Sequence, residues 1–171
     1  MLDTKVASLI NEQIRKELYS AYLYLDMANY YKDAGLDGFD NWFYVQAQEE
    51  RDHAMLFRTY LLNNDQTIEL LPIDAPGQVY PDFGAPLKSA LEHERTVTAS
   101  IHTIYAAASE ANDYRTTEFL HWFVKEQGEE EKNTSDLIKK YELFGSDAKA
   151  LYDLDQELKA RVYAAPTLVL N

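Results

Sequence analysis

The sequence predicts an all-α chain: a four-helix bundle with a long crossover between the second and third helices and a short fifth helix. Three observations carry this. Apolar residues recur at three- and four-residue steps through four long stretches, the period of a helix that buries one face. Only 6 Gly and 5 Pro occur, mostly between those stretches, where they end helices rather than interrupt them. Each long stretch also carries a carboxylate or amide on its apolar face, near its middle.

The first helix is expected from about Asp3 to Asp33, with Ile10, Ile14, Ala21, Tyr24 and Ala28 on one face and Glu17 in the same stripe. Glu12 lies on the far side as a surface charge. Ala34-Gly35-Leu36-Asp37-Gly38 breaks the pattern, and so short a connection makes the next helix an antiparallel neighbour. That second helix is expected from about Phe39 to Asn63. Around Glu50 its face reads Phe43, Ala47, Ala54, Phe57 and Leu61, and Glu50-x-x-His53 puts a carboxylate and an imidazole one turn apart on it.

From Asn64 to Ala85 the chain has no helical period and holds Pro72, Pro76, Gly77, Pro81 and Gly84. A helix of about 27 residues is about 40 Å long, and some 20 extended residues reach about 60 Å. This segment can therefore run the length of the bundle, which makes the third helix parallel to the second. The third helix is expected from about Pro86 to Glu110, with Pro86 in its first turn and Leu87, Leu91, Thr98, Ile101 and Tyr105 around Glu94. Ala111-Asn112-Asp113 is another short break. The fourth helix follows from about Tyr114 to Phe144, with Leu120, Phe123, Thr134, Ile138 and Tyr141 around Gln127, and Gly145 ends it. A fifth is expected from about Ser146, a suitable N-cap, to Arg161. The tail from Ala164 is apolar without a pattern.

Length and composition narrow the function. A chain of 171 residues is most simply one domain, with the bundle over about 3–144 and the fifth helix over about 146–161. No cysteine is present, which removes disulfides, thiolate metal sites and cysteine nucleophiles together. A net charge of −13 argues against nucleic acid, whose phosphates need clustered Lys and Arg. The first residues lack a basic-then-apolar signal pattern, and no run of about 18 apolar residues exists to span a membrane. A cytoplasmic protein is expected.

Glu17, Glu50 with His53, Glu94, and Gln127 with Glu130 or Glu131 fall at about the same height in an antiparallel bundle. With no Lys or Arg expected to point inward at that level, so many acidic groups repel one another unless a cation joins them. Hard oxygen donors with one imidazole suit iron, manganese or zinc, and iron is the candidate for redox work. Two bridged cations balance the carboxylates best. Helical angles alone do not choose between Glu130 and Glu131. Tyr24, two turns beyond Glu17, reads equally as a core tyrosine with a bonded hydroxyl or as a redox or supporting group. Glu118-x-x-His121 repeats the spacing off the stripe and reads as a surface coincidence. His93 and His102 lie off the apolar face and are expected in solvent.

These residues together resemble the bacterial non-haem ferritins, over essentially the whole chain. Glu17 alone on the first helix, Glu49-Glu50-x-x-His53 on the second, Glu94 on the third and Glu126-Gln127-x-Glu129-Glu130 on the fourth carry the resemblance. It implies a ferritin-like fold and a ferroxidase centre. One iron would be held by Glu17, Glu50 and His53. Glu50 would bridge to a second, held by Glu94 and Glu130, with Gln127 near the dioxygen side and Tyr24 beside the centre. A third iron would correspond to Glu49, Glu126, Glu129 and Glu130. The resemblance thus selects Glu130 and leaves Glu131 at the surface.

It also implies a homo-oligomeric shell of about 24 subunits that oxidises Fe2+ with dioxygen or hydrogen peroxide and stores ferric oxo-hydroxide inside. The acidic balance would draw Fe2+ through its channels. Departures from neighbouring families sharpen this. Bacterioferritins carry a second Glu-x-x-His where this chain reads Gln127-Gly128-Glu129-Glu130, and bind haem through a methionine where Asp52 stands here, so no haem is expected. Rubrerythrins need cysteine. Gly128, inside the fourth helix, is expected to make room near the site. The competing reading is a helical bundle, metal-dependent or metal-free, that acts through a protein partner. A di-metal oxidase of an organic substrate is a third, and usually needs a fuller pair of Glu-x-x-His motifs.

Overall fold

The computed structural model describes residues 2–170, which form five helices and, among the described residues, no strand. Helix α1 (Thr4–Asp33) begins where Asp3 Oδ1 accepts from the amides of Lys5 at 2.9 Å and Val6 at 3.2 Å, satisfying two of the unpaired N–H groups of a helix start. Gly35, at φ +78°, supplies the left-handed residue that closes the turn into α2 (Asp37–Asn63). Helices α3 (Ala85–Glu110) and α4 (Tyr114–Phe144) follow, with Pro86 in the first turn of α3 and Asp113 capping α4 through the Thr116 amide.

Directions follow from what touches what. Tyr31 stacks on Phe39 with centroids 5.0 Å apart, and Tyr24 meets Phe43 at 5.9 Å, so α1 and α2 are antiparallel. Tyr60 stacks on Phe119 at 4.0 Å, while Gln46 reaches Glu130 at 2.7 Å, which sets α4 against α2. Tyr105 meets His121 and Gln127 meets Glu94, which sets α3 against α4. Hence α2 and α3 run parallel, as the length of the crossover predicts. Residues 64–84 run along α1. Asn11 exchanges hydrogen bonds with the Glu69 backbone at 2.9 and 3.0 Å near one end, and the Tyr31 hydroxyl donates to the Phe83 carbonyl at 2.5 Å near the other.

Helix α5 (Ala148–Leu158) is shorter than the sequence suggests and is capped by Asp147, not Ser146: Asp147 Oδ1 accepts from the Ala150 amide at 2.8 Å. It docks on the start of α2, where buried Asp155 accepts from the amides of Gly38 at 2.7 Å and Phe39 at 3.1 Å. A carboxylate is favoured at a helix N-terminus, and this one explains why α2 starts at Asp37, before the expected Phe39. The approach requires glycine: a Cβ at Gly38 would lie 1.7 Å from the Asp155 carbonyl oxygen. Gly128 differs from its expected role, since a Cβ there meets nothing within 4 Å and the residue is exposed.

The core comes in two blocks. One gathers Val6, Ile10 and Ile14 with Phe57, Leu61, Ile101 and Phe123. The other gathers Tyr24, Met27 and Tyr31 with Phe39, Phe43, Leu87 and Leu154. Between them, at the middle of all four long helices, lies a buried polar belt. Among the described residues, no helix is long and apolar enough to cross a membrane.

Candidate metal centre

The belt is built by one-turn and two-turn spacings on core-facing stripes. Glu17, Glu50, His53, Glu94, Gln127 and Glu130 are all buried, none more than 5 % exposed. Glu17, Glu50 and His53 each offer a ligand atom within 4.8 Å of the others, and His53 Nδ1 lies 3.5 Å from Glu50 Oε2. Glu94 and Glu130 approach from α3 and α4. Gln127 Nε2 donates to Glu94 Oε2 at 3.0 Å, and the Tyr24 hydroxyl donates to Glu94 Oε1. Among the described residues, Glu94 and Glu130 do not join the 4.8 Å group.

Two buried amides organise these carboxylates. Gln13 Nε2 donates to Glu17 Oε1 at 2.8 Å, and Gln46 Nε2 donates to Glu130 at 2.7 Å and Glu50 at 3.3 Å. Glu17 Oε2 is buried with no partner. No Lys or Arg among the described residues pairs with Glu17, Glu50, Glu94 or Glu130. Removal from water therefore dominates: burial pushes the carboxyls of Glu17, Glu50, Glu94 and Glu130 above the usual range. The charge of Glu50 adds to the rise at Glu17, and that of Glu94 adds to the rise at Glu50 and Glu130. Burial, then the Glu94 charge, raises the Tyr24 phenol well above its ordinary value. An unpartnered buried carboxylate oxygen, facing further carboxylates and an imidazole, fits a divalent cation with a preference for hard donors.

Glu49, Glu126 and Glu129 lie apart from this buried group. With His53, Trp122 and residues 164–167 they line a cleft of about 460 Å3 beside the belt. Glu126 is half-buried, and burial raises its carboxyl, helped by Glu129 and Glu49. Glu129 is exposed. Glu49 is held by Arg161 at 2.5 Å. Burial raises its carboxyl, and the guanidinium works against that rise.

Several residues sit differently from the sequence reading. Arg161 points inward close to the level of Gln46 and Glu49, although no inward cation is expected there. His93 is not in solvent: it packs against Tyr19 and Tyr24, with Nε2 2.7 Å from Ser20 Oγ. Burial pushes its imidazole down to about 4. Glu131 is half-buried and accepts from Thr98 Oγ1 at 2.6 Å. Glu12 is half-buried beside Arg15. His102 and the Glu118–His121 pair are exposed, as expected. Gln13 and Gln46 escape the sequence reading although each stands one turn before its glutamate, a signal present in the spacing.

A ferritin-like domain model matches residues 7–144. The chain is 38% identical to the bacterial non-haem ferritin of Campylobacter jejuni, over 93% of this chain and 95% of that one. It is 34% identical to a probable bacterial non-haem ferritin-like protein of Haemophilus influenzae, over 92% and 96%. Among solved structures, an open-pore ferritin from Archaeoglobus fulgidus superposes with a TM-score of 0.92 at 39% identity, covering 95% of this chain and all of the other.

Proposed function

We propose, from the premise that this chain belongs to the ferritin family, that it is an iron-storage protein with ferroxidase activity. In this reading Glu17, Glu50 and His53 hold one Fe2+. Glu50 bridges to a second, held by Glu94 and Glu130, with Gln127 on the side where dioxygen enters. Glu49, Glu126, Glu129 and Glu130 serve a third. The observation that carries the reading is the orphaned Oε2 of buried Glu17, set among carboxylates that have no Lys or Arg partner.

The chain's own groups do three things. Gln13 occupies one carboxylate oxygen and Gln46 two, and they leave others free to ligate. The carboxyls, raised by burial, must be deprotonated to ligate Fe2+, so loading depends on pH. Tyr24, bonded to Glu94, orients that carboxylate. Two Fe2+ give one electron each to dioxygen, which takes two protons and leaves as hydrogen peroxide. The ferric product hydrolyses to oxo-hydroxide.

The storage part of the reading requires an assembly. In this reading the assembly is a hollow shell of about 24 copies, with α5 lining its four-fold axes, as the resemblance to ferritins implies. Iron is substrate and cargo, no haem is required, and the cytoplasm is the proposed compartment.

Anaerobic loading with Fe2+, then stopped-flow mixing with oxygen, tests this beside Glu50→Ala and sedimentation. Fast oxidation that E50A abolishes, in a particle of several hundred kilodaltons, is expected. Oxidation no faster than in buffer, in a small particle, overturns the reading and leaves a partner-binding bundle.

A further inference from the structure

Arg161 stands three residues past the end of α5, and its guanidinium is turned onto α2. Nη1 donates to the Trp42 carbonyl at 3.1 Å, and Nη2 donates to Gln46 Oε1 at 2.8 Å and Glu49 Oε2 at 2.5 Å. The guanidinium carbon sits 4.6 Å from the centre of the Trp42 ring, a favourable cation–π distance. The backbone beneath is fixed too: Asn41 Nδ2 donates to the carbonyls of Leu158 at 3.2 Å and Arg161 at 3.0 Å. The chain then crosses α2 and α4. The Tyr163 hydroxyl donates to Asp52, and Trp122 Nε1 donates to Thr167 Oγ1 at 2.9 Å. Residues 164–167 thus form one wall of the cleft that holds Glu49, Glu126 and Glu129.

We propose that Arg161 is a resident counter-ion for the third iron site, so that a third Fe2+ competes with the guanidinium for Glu49. The inference rests on the iron reading above and deepens it. Two consequences of the geometry make Arg161 a positioning residue as well. An amide has one acceptor oxygen and one donor nitrogen. With Gln46 Oε1 taken by Arg161, Gln46 Nε2 is left facing Glu50 and Glu130. Arg161 therefore fixes which end of Gln46 meets those two carboxylates. It also places one positive charge on Glu49, at the edge of the cleft where Lys125 stands with Glu126 and Glu129, before any metal arrives. A divalent ion that binds Glu49 must overcome that contact. Without Arg161, Glu49 meets a cation with no guanidinium already paired to it.

The test is anaerobic titration calorimetry of the assembled protein with Fe2+, for wild type, Arg161→Gln, Arg161→Lys and the double variant R161Q/E49Q. Wild type is expected to take two tight ions per subunit and a third weakly. R161Q should bind the third about tenfold more tightly or better, while R161K, which keeps the charge, stays like wild type. The gain should vanish in R161Q/E49Q. Arg161→Met keeps an unbranched stem against Trp42 and repeats the measurement if R161Q does not assemble. A third ion bound equally by wild type and R161Q, or a gain that survives loss of Glu49, overturns the inference while the two tight ions stand. Absence of those two from every protein overturns the iron reading and this inference with it.

Discussion

Replacing Glu17 by glutamine should stabilise the metal-free protein while removing a proposed ligand. Glu17 is 1 % exposed, its Oε2 has no partner, and its carboxyl is raised by burial and by the charge of Glu50. Glutamine keeps the shape and the oxygen that accepts from Gln13, and it removes the ionisable group. A buried polar atom without a partner costs about 1–3 kcal/mol; the amide nitrogen that replaces Oε2 can donate to the Glu50 carboxylate beside it, so Glu17→Gln should gain about that much at neutral pH. For a chain of this size each kcal/mol moves Tm by roughly 2–4 °C, which gives a rise of about 2–12 °C.

The pH dependence has a fixed sign. The folded pKa of Glu17 lies above its unfolded value, so the wild type holds its full stability from this group below about pH 4 and loses it as pH rises through the folded pKa. The advantage of Glu17→Gln should therefore widen as pH rises above the ordinary carboxylate range. Thermal unfolding in chelator, followed by circular dichroism across that rise in pH, reads it directly. Added Fe2+ should reverse the order, because a ligand at about 100 times its Kd contributes about 2.7 kcal/mol to the protein that binds it. A metal-free variant less stable than wild type at neutral pH, or an advantage that grows toward acid, would refute the reasoning.

Two helical glycines should respond in opposite directions. Gly38→Ala drives a methyl into the Asp155 carbonyl and should undock α5 and lower Tm, whereas Gly128→Ala, facing open space, should gain about 1 kcal/mol; thermal unfolding of the two side by side checks both. His93, with its imidazole pushed down to about 4, adds stability that is lost as pH falls from about 6.5 toward that value, opposite in sign to the buried glutamates. Its resonance in histidine-labelled protein should not titrate until near that low pH, and a midpoint near the ordinary value counts against the buried placement.

The long helices and the stripe that carries Glu17, Glu50 and Glu94 were readable because burial on one helix face leaves a period in the chain. What was hidden depends on contacts between distant segments. Asp155 and Gly38 meet across 117 positions, and no local pattern announces a helix cap supplied from the far end of the chain. Arg161 belongs to a segment without periodicity, so its turn back onto α2 left no trace. His93 lies about 100° from Glu94 around the helix axis, which reads as solvent until α1 is seen covering that side with Tyr19, Ser20 and Tyr24. Gln13 and Gln46 were legible in spacing, but glutamine on a stripe attracts less notice than a charge.

The polar belt divides along the chain's two hairpins. Glu17, Glu50 and His53 come from α1 and α2, while Glu94, Gln127 and Glu130 come from α3 and α4. Each hairpin closes over a short loop and forms through local contacts, which are the fast ones. While the hairpins are apart, their carboxylates stay in water. Desolvation and repulsion are felt only when the two halves dock, so docking is the step on which the glutamates act, and it should slow as pH rises. A cation gripped from both sides meets its full set of donors only after that step. It therefore acts on the way out rather than on the way in, lengthening the lifetime of the folded chain without hastening its arrival.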